Sequence, residues 1–233
     1  MKRMSRFAAV LLDAVPAFAG GSWRPAVDIH ENADAYLIDA EIPGIDHPKV
    51  LGYADVLSGR KTAGGRVAII GAGGIGFDVA EYLSHDPGRA SPSLAPEVFA
   101  REWGIDLTLG RRGGVTEPEP SASPREIWLL QRKPTKPGRG LGRTTGWIHR
   151  LGLRARGVHM WPAVTYLRID DAGLHIEVGG KPLTLQVDNV IVCAGQESNR
   201  ALAGILQAQG RSPHLIGGAA QAKDEACAEP SRG

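Results

Sequence analysis

Residues Gly71-Ala72-Gly73-Gly74-Ile75-Gly76 spell GxGxxG, and glycines at that spacing suit one kind of chemistry, backbone contact with a pyrophosphate. In that role the first glycine permits a tight turn, the second lets the chain approach the phosphates, and the third lets a helix lie close to the preceding strand. Free N–H groups at the helix start, backed by the positive end of its dipole, then hold the anion. The chain contains 31 glycines, enough for such letters to arise by chance, so their context must carry the reading. The other reactive side chains fall into no catalytic pattern. His149, His159 and His175 have no spacing that pairs them with a nucleophile or with metal ligands, and surface or packing roles are expected for them. Cys193 sits in the apolar run NVIVCAG and reads as a small core residue. Asp78 is expected to complement the helix dipole, and Trp147 and Trp161 to pack in the core or between strands. With two cysteines, Cys193 and Cys227, there is no CxxC cluster. No catalytic residue and no metal site are assigned.

The elements around the motif give it meaning. RVAIIG (66–71) is an apolar, β-branched run of the kind buried on both faces of a parallel sheet. Ile75, Val79, Ala80 and Leu83 then recur at helical spacing and stop before His85-Asp86-Pro87. The motif therefore joins a strand to a helix. EIWLLQR (126–132) is a second buried strand. After a Gly-, Pro- and Lys-rich loop, Thr144 or Thr145 caps a helix whose apolar face is Trp147, Ile148 and Leu151, and Gly157 ends it. VHMWP (158–162) gives a third strand. TYLRID, LHIEVG and LTLQV alternate in hydrophobicity and read as an antiparallel meander. NVIVCAG (189–195) returns to the continuous apolar type as a fourth parallel strand. The stretch 86–124, rich in Pro, Gly and Ser, reads as loop. The fold class is α/β: a Rossmann-like βαβ domain with a parallel sheet and an antiparallel β-meander.

Choice of cofactor rests on the end of the second strand, where an acid roughly 20 residues on binds a ribose 2′-hydroxyl and a base suits a 2′-phosphate. Counting forward reaches Glu97, which lies in the Pro-rich insert with no strand before it. GIDLTLGRR alternates as a half-exposed strand and would offer Arg111 and Arg112. EIWLLQR has the continuous character of a central strand and ends in Gln131-Arg132-Lys133 with no carboxylate, which favours NADPH.

Composition excludes several classes. Twenty-seven Lys and Arg against 25 Asp and Glu leave a net charge of +2, too little for nucleic acid as the main partner. No run reaches the roughly 18 apolar residues of a membrane span, so no membrane partner is expected. The paucity of cysteine fits a reducing cytoplasm. Lys2, Arg3 and Arg6 before FAAVLLDAVPAFAG resemble a signal peptide, but Asp13 interrupts its apolar stretch.

GIDHPKVLGYADVL (44–57), GRVAIIGAGGIGFDVAEYL, LLQRKPTKPGRGLGRTTGWIHR, VDNVIVCAGQESNRAL and HLIGG together resemble bacterial NADPH-dependent 2,4-dienoyl-CoA reductase, over about three quarters of the chain. The resemblance implies the NADPH domain of an enzyme of fatty acid β-oxidation, in which hydride passes from NADPH to FAD and electrons continue to a barrel carrying FMN, an iron–sulfur cluster and the substrate site. It implies cofactor contacts from Gly71, Ala72, Gly73, Gly74, Ile75 and Gly76, a 2′-phosphate site at Gln131, Arg132 and Lys133, and backbone facing the nucleotides at Ala194, Gly195, Gly217 and Gly218. FAD belongs to the intact family, whereas this chain has no first GxGxxG, no barrel and no cysteine cluster. The expected partners are a nucleotide cofactor and the barrel domain, with turnover by this chain alone incomplete.

WRPAVDIHENADAYLIDAEIPGI (23–45) resembles instead the opening strands of the α-crystallin domain of small heat-shock proteins, with a hairpin around Glu31-Asn32-Ala33-Asp34. The two resemblances meet at Pro43-Gly44-Ile45-Asp46 and imply a fusion. The expected layout is a heat-shock-like fragment (1–44), a linker (45–65), the NADPH-binding domain (66–195), a remnant of an FAD domain (196–218) and a disordered tail (219–233). A chaperone-like or binding fragment is the alternative function.

Overall fold

A computed structural model describes residues 27–31, 36–40, 42–88, 92–194 and 198–220. The chain divides into two compact units, 1–43 and 44–233. In the first, β1 (Val27–Glu31) and β2 (Tyr36–Ala40) pair antiparallel, Val27 opposite Ala40 and Glu31 opposite Tyr36. The expected turn at 32–35, the signal-like stretch and the tail beyond 220 lie outside the described residues.

The second unit is built on apolar runs too short for helices. β3 (Val50–Gly52), β4 (Arg66–Ile70), β5 (Glu126–Leu130), β6 (His159–Trp161) and β10 (Asn189–Val192) form one parallel sheet in the order β3-β10-β4-β5-β6. Strand alternation sends Val67, Ile69, Ile127, Leu129 and Ile191 to one face. There they form a core with Phe77, Val79, Ala80 and Leu83 of helix α2 (Gly74–Ser84) and Leu153 of helix α4 (Gly146–Ala155). Ala68, Ile70, Trp128, Leu130 and Val190, on the other face, are equally buried. Burial on both faces is why these strands carry no polar alternation. At the start of the sheet Asp188 accepts the Arg66 N–H at 2.8 Å and pairs with its guanidinium at 3.0 Å, tying β10 to β4.

Three antiparallel strands follow β6 as expected: β7 (Val164–Asp170), β8 (Gly173–Val178) and β9 (Lys181–Leu185). The mixed α/β architecture, a parallel sheet with a separate three-stranded meander, is the one read from the sequence.

Several local expectations need correction. The segment 45–65, read as a linker, contributes β3 and the short helix α1 (Tyr53–Leu57). Val50 and Leu51 pair with Val190 and Ile191, a run too short to stand out by periodicity. Inside the insert, Pro96–Trp103 is a helix, α3, with Pro at its first position and left-handed Gly104 at its end. Pro and Gly mark the ends of this helix and not a loop. GIDLTLGRR is no strand, because the Asp106 carboxylate accepts the Thr108 N–H at 3.0 Å, its hydroxyl at 2.6 Å and the Arg111 N–H at 2.8 Å, folding the chain back on itself. Thr145 does precede α4 but makes no side-chain cap. The buried side of α4 is Gly146 and Leu153, while Trp147, 55% exposed, and Leu151 face outward. Asp78 stands beyond the first turn of α2, which holds no acid. A last helix, α5 (Ala201–Ala208), follows β10.

Candidate nucleotide-binding site

The turn after β4 is glycine's by necessity. Gly71 has φ +108°, and a β-carbon there would lie 2.8 Å from the Cys193 carbonyl and 3.0 Å from the Ala194 nitrogen. Its N–H donates to the Leu130 carbonyl at 2.9 Å, and the Cys193 N–H donates to the Ile70 carbonyl at 2.8 Å. The carboxyl ends of β4, β5 and β10 therefore converge on this loop. Gly76 is the close-packing glycine, since a β-carbon on it would stand 1.8 Å from the Gly71 carbonyl oxygen. Gly74 is different, with open space where its side chain would be. Gly73 caps α2 without a side-chain bond, and its carbonyl accepts the Phe77 N–H at 3.1 Å. The N–H groups of the first turn, Gly74, Ile75 and Gly76, thus carry no side-chain cap and suit an anion.

From β4 the chain steps outward through β5 to β6 and later returns through β10 on the other side of β4. Such a reversal of strand order opens a crevice at the carboxyl ends of the strands, where ligands bind in open α/β sheets. Gly71 and Ala194 meet there, and Ala72 follows next in the chain. Gly195 lies outside the described residues. Gly217 and Gly218 sit in an exposed turn with nothing within 4 Å of their side-chain positions.

At the end of β5 the Gln131 side chain donates to the carbonyls of Lys133, at 2.9 Å, and of Thr135. Its backbone N–H donates to Trp161, and its carbonyl accepts the Val164 N–H, both at 3.0 Å. Gln131 is thereby the staple of the turn and not a free ligand group. Arg132 and Lys133 are exposed, and neither forms an ion pair among the described residues.

Residues that motif reading missed lie just beyond. Lys136, Arg139 and Arg143 are also exposed, so the stretch 131–145 holds five cations and no carboxylate. That count is the signal that would have found them. The stretch is anchored on the phosphate-loop helix. Gly138 has φ +71°, and a β-carbon on it would come within 2.7 Å of the Phe77 ring; its carbonyl accepts an Arg150 Nη1 hydrogen at 2.9 Å.

The remaining reactive groups are structural. Burial pushes the Cys193 thiol up to about 12, away from nucleophilic use. His149 pairs with Glu81 across α2 and α4 at 3.2 Å, and His175 with Asp170 at 2.8 Å. His159 stacks on Trp128, ring centroids 5.6 Å apart. A cavity of about 540 Å³ lies within the insert, lined among others by Glu97, Arg101, Asp106 and Arg111. It shares no residue with the phosphate loop. Among the described residues no group of three His, Cys, Asp or Glu side chains is placed to hold a metal, and no helix is long and apolar enough to cross a membrane.

No model of a known protein family matches the chain. A metal reductase of Desulforamulus reducens is 27% identical over 195 residues, which cover 79% of this chain and 26% of that protein. The chain thus spans about a quarter of the length of this relative. A 2-naphthoyl-CoA reductase in complex with 2-naphthoyl-CoA superposes with a TM-score of 0.50 at 21% identity, covering 76% of this chain and 20% of that one. The 6-hydroxypseudooxynicotine amine oxidase of Pseudomonas geniculata gives a TM-score of 0.50 at 18% identity, over 73% and 21%. These two likenesses show a shared fold. All three proteins are redox enzymes by name.

Proposed function

We propose that the chain is the NADPH-binding portion of a flavin-dependent oxidoreductase resembling 2,4-dienoyl-CoA reductase. One observation carries the reading: the glycine loop lies where the strand order reverses, with a carboxylate-free cationic stretch pinned to the same helix. Residues 66–195 form the nucleotide-binding part, and 196–218 are the remnant of an FAD domain. Gly71 and Gly76 let the loop pack tightly against β10 and α2, Gly73 is the glycine at the pyrophosphate's approach, and the first turn of α2 supplies N–H donors. Arg132 and Lys133 receive the 2′-phosphate. Bound NADPH supplies hydride; the chain's own residues bind and orient it and assign no acid or base.

FAD fits this chain less well, because Gly71–Gly76 is its one GxGxxG sequence. Complete turnover needs the barrel domain, the expected partner, and the setting is a reducing cytoplasm. The relatives named above, a metal reductase, a CoA-ester reductase and an amine oxidase, support redox chemistry without choosing the substrate. Residues 1–44 are read as a fragment similar to small heat-shock proteins with no part in nucleotide binding.

Calorimetric titration of the purified chain tests the proposal. NADPH is expected to bind at least about tenfold more tightly than NADH, a difference of roughly 1.4 kcal/mol. Equal affinities overturn the 2′-phosphate assignment, and failure of both cofactors to bind overturns the site.

A further inference from the structure

The Tyr166 hydroxyl is buried and has no hydrogen-bond partner among the described residues. A phenol removed from water without a partner is less stable there than phenylalanine of the same shape. A buried hydroxyl of this kind is satisfied only when a polar group is brought to it. Its place in the fold says which. The Ala163 N–H donates to the Lys133 carbonyl at 3.1 Å and the Val164 N–H to the Gln131 carbonyl at 3.0 Å, holding the start of β7 against the Gln131–Lys133 turn. Ala163 adopts φ +56° to do so, a conformation costly for a residue with a side chain. Tyr166 follows at once, beside a bulge between Tyr166 and Arg168. Burial drives its phenol well above the usual value, and the Arg132 charge opposes that rise. The other buried side-chain polar atom without a partner among the described residues is Arg150 Nε, and Arg150 braces the same 131–145 stretch through Gly138.

We propose that Tyr166 is a positioning residue of the nucleotide site, its hydroxyl oxygen accepting one N–H of Arg132 and so orienting that guanidinium toward the 2′-phosphate of NADPH. The inference rests on the reading that Arg132 recognises this phosphate. A guanidinium carries five N–H donors in a fixed fork, so one given to Tyr166 leaves a pair for bidentate contact with the phosphate. NADH lacks the phosphate and gains nothing from the orientation.

A double-mutant cycle on the full chain tests it, with Tyr166→Phe, Arg132→Ala and the double variant titrated with NADPH and with NADH, and each melted without nucleotide. Tyr166→Phe is expected to weaken NADPH binding about five- to tenfold, to leave NADH binding unchanged, and to have no further effect once Arg132 is alanine. Its melting temperature should equal or exceed that of the unmutated chain, as removal of a partnerless hydroxyl requires. Equal losses for both cofactors, a full effect in the Arg132→Ala background, or a lowered melting temperature with unchanged affinities each overturn the proposal. If Arg132→Ala weakens NADPH binding while Tyr166→Phe leaves it unaltered, Tyr166 alone is wrong. If the unmutated chain does not distinguish the cofactors and Arg132→Ala is silent, the underlying reading fails and takes this one with it.

Discussion

At the scale of residues, the two kinds of site group should fail differently when altered. Arg132 is exposed on a turn held by Gln131, so its loss removes a charge-assisted contact without disturbing the core. Such a bond is worth roughly 1.5–3 kcal/mol, and Arg132→Ala should weaken NADPH binding by about one to two powers of ten while sparing NADH. The preference should also shrink as salt rises, because the contact is open to screening. Gly76→Val is the contrasting change. With the Gly71 carbonyl only 1.8 Å from the position of the new β-carbon, the loop must shift and both cofactors should be lost together. Titration by quenching of tryptophan fluorescence reads both variants. Gly76 was legible in the motif, whereas the stapling role of Gln131 was not, since its partners are carbonyls whose direction only the folded turn defines.

At the scale of elements, the insert and the meander are held by specific polar contacts. Arg156, at the end of α4, meets Glu102 of α3 at 3.0 Å with both side chains nearly buried, and Ser121 donates to the same carboxylate at 2.6 Å. Removing one partner of such a pair leaves a buried charge and costs about 3–5 kcal/mol. Glu102→Ala should lower the denaturant midpoint accordingly and open the insert to limited proteolysis, with nucleotide affinity retained. Across β7 and β8, Asp170 accepts hydrogen bonds from His175 and Arg168, and the Ala172 N–H caps the turn. The His175 bond, then the Arg168 bond, holds its carboxyl well below the usual range. A carboxyl depressed by folding stabilises the fold above its unfolded value, about 3.9, and loses that contribution as pH falls through the folded value. Asp170→Asn should therefore melt lower than the unmutated chain at pH 7, and the two curves should converge in strong acid. Strands of the meander were legible because their alternation is local. α3 was not, because its Pro and Gly are the same letters that mark loops.

At the scale of the whole molecule, the chain forms two units with a boundary after Pro43, and every candidate site residue lies in the second. Deleting residues 1–43 should leave the affinity for NADPH within about threefold of its original value, a change under roughly 0.7 kcal/mol. A tenfold loss in calorimetry would show that the N-terminal hairpin takes part in the site. By itself the sequence determined the strand–glycine turn–helix unit at 66–84, the buried strands at 126–130 and 189–192, and the meander. Each of these follows from a periodicity or an apolar run within a few residues. Only the tertiary structure decided that β10 lies between β3 and β4, which brings Cys193 and Ala194 against Gly71. It also decided that Gly138 seats the cationic stretch on Phe77, and that the start of β7 is held against the Gln131–Lys133 turn. These are pairings between segments tens of residues apart, set by which apolar faces can be buried together and which backbone groups can meet, and neither condition leaves a mark on the letters of one segment alone.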